Sequence, residues 1–180
     1  DVRQAVLAGF TSVMIDGAAL PFEENIRLSR EAVDFAHCYG VSVEAELGAI
    51  RGKEDDHVSE ADSHTDPSQV AEFCERTGCD TLAVSIGNVH GLEERPKIDL
   101  SHLAKIAEVA PVPLVLHGGS GIPDETIRAM KRYGMIKVNI ASDLRRAFIR
   151  AIALRYETNH NEANLASVLL DARHAVTEVA

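Results

Sequence analysis

The stretch VPLVLHGGSGIPDE, Val112 to Glu125, passes from an apolar β-branched run through a histidine and a glycine-rich loop to a Pro-Asp pair suited to a helix start. Read as strand, loop and helix, it puts His117 where a buried strand runs out and Gly118–Gly121 immediately before the helix. Four further runs have the same apolar character: SVMID (Ser12–Asp16), VSVEAEL (Val41–Leu47), TLAVSIG (Thr81–Gly87) and MIKVNIA (Met135–Ala141). Between them, apolar residues three and four apart predict helices over Glu24–Tyr39, Pro67–Thr77, Ser101–Val109 and Pro123–Tyr133. Gly40, Gly78 and Gly134 stand where these helices should stop. Strand–helix alternation of this kind predicts a parallel α/β sheet.

Polar residues at the strand ends choose between an open doubly wound sheet and a closed barrel. Asp16, Glu44 and Glu46, His90, His117, and Asn139 with Ser142 fall at or near the C-terminal ends of successive strands. A barrel collects its site from many strand ends, whereas a doubly wound sheet concentrates it at one switch point. The expected fold is therefore a (β/α)8 TIM barrel. Five strands make it a partial one, about the last five strand–helix units, since the fold takes eight strands and about 250 residues. Residues 1–180 are expected to be one partial barrel domain whose N-terminal units lie upstream. Asp1 opening inside an amphipathic segment, DVRQAVLAGF, points the same way.

Composition narrows the function. The chain is 46% hydrophobic and 26% charged, as in ordinary globular proteins, and its net charge of −10 argues against broad attraction to nucleic acid or an anionic membrane. An anionic ligand would have to be held locally. No apolar run approaches the ~20 residues of a membrane span. Cys38, Cys74 and Cys79 lack metal or redox spacing and read as reduced thiols of a cytoplasmic protein.

Three features carry chemistry. His90 and His117 each stand where a strand meets a glycine-bearing loop, and two neutral imidazoles over one barrel mouth suit Zn²⁺, which needs about three protein ligands in a catalytic site. Either read alone is more often a hydrogen-bonded structural histidine, and it is the matched positions and glycines of the two together that bring the metal reading level with that one. Gly118-Gly119-Ser120-Gly121 offers backbone N–H groups before a helix, a phosphate cradle or simply a tight turn. Asn139 to Asp143 supplies an amide, a hydroxyl and another helix start, and loops after the last two strands of such barrels commonly bind phosphate. The polar segment Ala49–Asp66 is too long for an ordinary connection and reads as a lid or as a solvated loop, with Glu54, Asp55, Asp56 and His57 as candidate base or ligand. His37, His64, His102, His160 and His174 have no convergent partners in the pattern and read as structural.

In order along the chain, GFTSVMIDGAALPFEENI, VSVEAELGAIRGKEDD, TDPSQVAEF, LAVSIGNVHG, PLVLHGGSGIP and IKVNIASDL resemble the class II, zinc-dependent ketose-bisphosphate aldolases that act on fructose or tagatose bisphosphate. The likeness runs from Ala5 to about Phe148. It implies that His90 and His117 are zinc ligands, with Glu46 the glutamate that ligates zinc in an alternative, buried position. Glu54 matches the acidic lid residue that takes the proton from dihydroxyacetone phosphate. Gly91, Gly118, Gly119, Ser120, Asn139, Ile140, Ala141 and Ser142 match the substrate-binding residues, with Asn139 also near the enediolate. The resemblance further implies a monovalent cation, Na⁺ or K⁺, at backbone carbonyls of Val89, Gly91 and Gly118. The family's upstream Asp-His pair, which supplies a third histidine ligand and an acid/base at the C4 hydroxyl, has no counterpart here. Two departures stand out: His64 where relatives often have Tyr, and Asn88-Val89 before His90 where Thr-Ala is usual.

The activity so implied is reversible aldol cleavage of a ketose 1,6-bisphosphate into dihydroxyacetone phosphate and glyceraldehyde 3-phosphate through a zinc-stabilised enediolate. The substrate is a small phosphosugar, with no nucleic-acid or membrane partner, and the full-length protein is expected to be a homodimer or homotetramer. Two alternatives stand beside it: an inactive fragment retaining a phosphate-binding or subunit-contact surface, and another metal-dependent phosphosugar enzyme on the same barrel.

Overall fold

The computed structural model describes residues 2–50, 52–54, 57–59, 64–91 and 96–180, with the backbone alone at 53, 54 and 57–59. The chain divides into two compact units, Asp1–Asn139 and Ile140–Ala180. In the first, helix α1 (Val2–Leu7) leads into β1 (Ser12–Ile15), α2 (Phe22–His37) and β2 (Ser42–Leu47). A small hairpin follows, β3 (Gly52–Glu54) with β4 (His57–Ser59), then α3 (Pro67–Thr77), β5 (Thr81–Val84), α4 (Leu100–Val109) and β6 (Leu114–Leu116). The unit ends with α5 (Asp124–Met130), a 3-10 turn at Lys131–Tyr133 and β7 (Met135–Val138).

The five long-range strands form one parallel sheet in the order β1-β2-β5-β6-β7. Each new strand is added on the same side and the order never reverses. That is the winding of a barrel wall; a doubly wound sheet would reverse at a switch point. The fold is the partial TIM-barrel expected from the sequence.

Alternation along the strands sorts residues between two faces. Val43, Ala45 and Leu47 of β2 join Leu82 and Val84 of β5 and Leu114 and Leu116 of β6 in the apolar core with the helices. Phe73 of α3 is fully buried there, its ring 6.1 Å from that of Phe22. Glu44 and Glu46, two residues apart, take the opposite face of β2, yet both remain buried. Between β6 and β7 the register shifts: Leu114 pairs with Met135, but Val115 pairs with Lys137. The extra residue on β7 brings Lys137 level with Val115, where an unshifted ladder would have placed Ile136 and left Lys137 on the face of Met135.

Local sequence sets the helix ends. Asp66 accepts a hydrogen bond from the Ser68 N–H at the start of α3, with Pro67 at its first position, and Asp99 accepts from Ser101 and His102 N–H at the start of α4. Gly78 closes α3 at φ 70°, a left-handed conformation that glycine adopts without penalty. The segment Ala49–Asp66 holds the antiparallel β3–β4 pair where the sequence indicated only a lid or loop. Its strands are three residues each and show no apolar alternation, so nothing in the pattern announced them.

The second unit consists of α6 (Ser142–Thr158) and α7 (Leu165–Val179). Arg155 links them, donating to Glu162 at 2.9 Å, to Asp171 at 2.6 Å and to the Ser167 hydroxyl at 3.0 Å.

Candidate active site

β2, β5, β6 and β7 deliver polar groups to one face at their C-terminal ends. His117 follows β6 directly and is buried. Its Nε2 lies 2.7 Å from Glu44 Oε1 and its Nδ1 3.2 Å from Glu46 Oε2, so the imidazole is held between two carboxylates of one strand. Ala83 of β5 pairs with Glu46 on one side and Val115 on the other, and its small side chain leaves the space across which β2 and β6 side chains meet. Glu44 Oε2 accepts from Lys137 Nζ at 2.8 Å.

The electrostatics follow from these distances. Burial opposes charge on His117, but hydrogen bonds to Glu44 and Glu46 outweigh it and raise its pKa to about 9. Burial likewise pushes the Glu44 carboxyl up, yet hydrogen bonds from His117 and Lys137 win and hold it below the usual carboxylate value. A buried charged pair is sustained here only because each partner has more than one contact.

His90 stands beside His117, the two rings 6.2 Å apart between centroids and inclined by 29°. Two buried links fix their loops. Asn88, with 1% exposure, donates from Nδ2 to the His117 carbonyl oxygen at 3.0 Å and accepts from the Ile86 N–H at 2.8 Å. Gly118, at φ +63°, comes so close to Val89 that an added Cβ would overlap the Val89 carbonyl and lie 3.4 Å from His90 Cδ2. Gly52, at the start of β3, pairs with His90 through the backbone, and a Cβ there would overlap the His90 carbonyl. The hairpin that carries Glu54 therefore begins on the backbone of a candidate ligand. The Glu54 side chain, and Asp55 and Asp56, lie outside the described residues, as does the His57 side chain.

The glycine loop is more committed than a bare cradle. Gly119 and Ser120 are buried, and the Gly119 N–H is already donated to the Asn139 carbonyl at 2.9 Å, while the Asn139 N–H goes to Leu116. These bonds bind the end of β7 to the His117 loop. Gly91 is half-buried after His90. Ile140, Ala141 and Ser142 begin the second unit, with the Ala141 carbonyl accepting from Arg145 in the first turn of α6. Asp16 is exposed and caps its own loop by accepting from the Ala18 N–H. His37 pairs with Asp80 at 2.9 Å and His102 meets the Thr65 carbonyl at 2.7 Å.

Among the described residues no group of three His, Cys, Asp or Glu side chains is already arranged to hold a metal ion. The chemistry of the donors nonetheless fits one: two imidazoles side by side with a buried carboxylate against one of them, where a cation would replace the proton that now joins His117 to Glu46. Asn88 enters from the sequence only as a departure from the family pattern, with no role attached, and Lys137 does not enter at all. A lysine on an apolar strand reads as snorkelling to solvent, and only the paired positions of Glu44 and Glu46 hinted that a cation was wanted opposite them.

A parallel, barrel-wound sheet with imidazoles and carboxylates converging at its strand ends defines a partial TIM barrel with a candidate active site at those ends. Comparison with known proteins gives the family. The model of the class-II fructose-bisphosphate aldolases matches residues 1–180, and the chain belongs to that family. Among solved structures, the YdjI aldolase from Escherichia coli K12 is 40% identical over 99% of this chain, with a TM-score of 0.82. A candidate fructose-1,6-bisphosphate aldolase from Coccidioides immitis is 28% identical over 99%, also at 0.82. The fructose-bisphosphate aldolase of Campylobacter jejuni, 24% identical over 98% at 0.75, shares the fold. The chain spans 61%, 65% and 61% of these three proteins respectively.

Proposed function

We propose that the protein containing this chain catalyses the reversible aldol cleavage of a ketose 1,6-bisphosphate, fructose or tagatose, to dihydroxyacetone phosphate and glyceraldehyde 3-phosphate. The observation that carries the reading is the stacked His90–His117 pair with Glu46 on His117, at the strand ends of a barrel-wound sheet in a class II aldolase chain. The aldolase family match favours this over another phosphosugar chemistry on the same barrel, and its run over residues 1–180 supports assigning the whole chain to one aldolase domain.

His90, His117 and Glu46 would hold zinc, which when bound supplies Lewis-acid polarisation of a carbonyl oxygen. The rest falls to the chain's own groups. Gly91, Gly118, Gly119, Ser120 and Asn139 bind and orient the ketose phosphate, since glycine backbone lets an anion approach closely. Ile140, Ala141 and Ser142, at the first turn of α6, are assigned to phosphate by resemblance. Asn139 also lies near the reacting carbons, and Glu54 moves the proton at the carbon of the triose. A monovalent cation is assigned to backbone carbonyls of Val89, Gly91 and Gly118. We further propose a cytoplasmic homodimer or homotetramer; no described helix is long and apolar enough to cross a membrane.

A coupled assay for triose phosphate, run on the natural full-length protein with each ketose bisphosphate, tests this. Release that stops on chelation and returns with zinc is expected. No release from either sugar by zinc-loaded protein would overturn the proposal.

A further inference from the structure

β2 places Glu44 and Glu46 two residues apart on one face, and the His117 ring lies between them with a different nitrogen at each. The two carboxylates are not equivalent. Glu46 lies against Nδ1, and by the reading above it shares the metal. Glu44 lies against Nε2 at 2.7 Å, is itself 5% exposed, and has its second oxygen taken by Lys137 at 2.8 Å. One chain of contacts thus runs from His117 just after β6 through Glu44 of β2 to Lys137 of β7, and both oxygens of Glu44 are engaged.

We propose that Glu44, anchored by Lys137, is a positioning residue that keeps a proton on His117 Nε2 and so presents Nδ1 to the metal. This rests on the zinc reading and adds to it which nitrogen binds and what makes it bind. A neutral imidazole can ligate through either nitrogen, and a hydrogen bond at the other selects the tautomer, fixes the ring plane and makes the ligating nitrogen more basic. A freely rotating carboxylate would do this poorly. The Lys137 ammonium, 2.8 Å from the second oxygen, holds the carboxylate in place against Nε2. Lys137 is half exposed and can be altered without opening the core.

The test uses the natural full-length protein, with zinc affinity measured by competition against a chromophoric chelator for wild type, Glu44→Gln and Lys137→Met. The ¹⁵N spectrum of the zinc-loaded protein reports which nitrogen of His117 carries the proton. Glu44→Gln keeps size and an acceptor oxygen but loses the charge, and zinc should bind about 10–100-fold more weakly, the usual cost of removing such a partner. Lys137→Met should weaken binding by a smaller factor, with far-UV circular dichroism unchanged. Should Glu44→Gln fail to fold, Lys137→Met and the wild-type spectrum decide alone. Zinc on Nε2, or folded variants with wild-type affinity, would overturn the inference while leaving the zinc reading intact. A wild-type protein that binds no zinc would overturn both.

Discussion

The Asn88 side chain donates to the carbonyl oxygen of His117 over 3.0 Å, a buried bond between the loop after β5 and the end of β6. It joins the two segments that carry His90 and His117, and its other end holds the Ile86 N–H. Asn88→Ala should leave that carbonyl and that N–H buried without their partner and cost about 1–3 kcal/mol. Urea unfolding of the full-length protein reads the effect directly, and an unchanged midpoint would show the bond to be dispensable.

Gly118 and Gly40 separate two effects of glycine. Both have left-handed backbone, φ +63° and +69°, but a Cβ at Gly118 would overlap the Val89 carbonyl whereas one at Gly40 would meet nothing within 4 Å. Gly40→Ala should therefore show only the backbone penalty, about 1–2 kcal/mol. Gly118→Ala should lower thermal stability further and reduce bound zinc, because the His90 loop must move. Equal losses in the two variants would mean that the close approach does not matter.

Ala83 faces the space between Glu46 and Val115. Ala83→Leu should overpack it, costing about 1–3 kcal/mol, and force the His117 ring from its carboxylates. Paired stability and zinc-affinity measurements check this; a variant with wild-type values in both would refute the placement.

The raised pKa of His117 has a definite sign in the metal-free protein. A group whose folded pKa, about 9, exceeds the ordinary 6.5 contributes stability that is full below about pH 6.5 and lost as pH rises through 9. With a chelator present, the midpoint of thermal unfolding should fall between pH 6.5 and 9, and His117→Gln should flatten that fall. The same fall in the variant would assign it to other groups.

Much of this was legible in sequence, for identifiable reasons. The strands have continuous apolar runs, α3 begins and ends at Pro67 and Thr77 because Asp66 caps it and Gly78 closes it, and histidines next to glycines marked the strand ends. What escaped was set by pairing between distant strands. The shift that registers Lys137 with Val115 has no local signature, and neither does the role of Asn88, which depends on a carbonyl 29 residues away. The β3–β4 hairpin is held at Gly52 by contact with His90, so its sequence alone is that of a polar loop.

The central claim is that His90 and His117 together hold a catalytic metal. Metal analysis of the full-length protein, wild type beside His90→Ala and His117→Ala, tests it most directly when joined to triose phosphate release. About one zinc per chain is expected in the wild type, with zinc and aldol cleavage both lost in each variant. Full zinc retention in both variants would contradict the assignment.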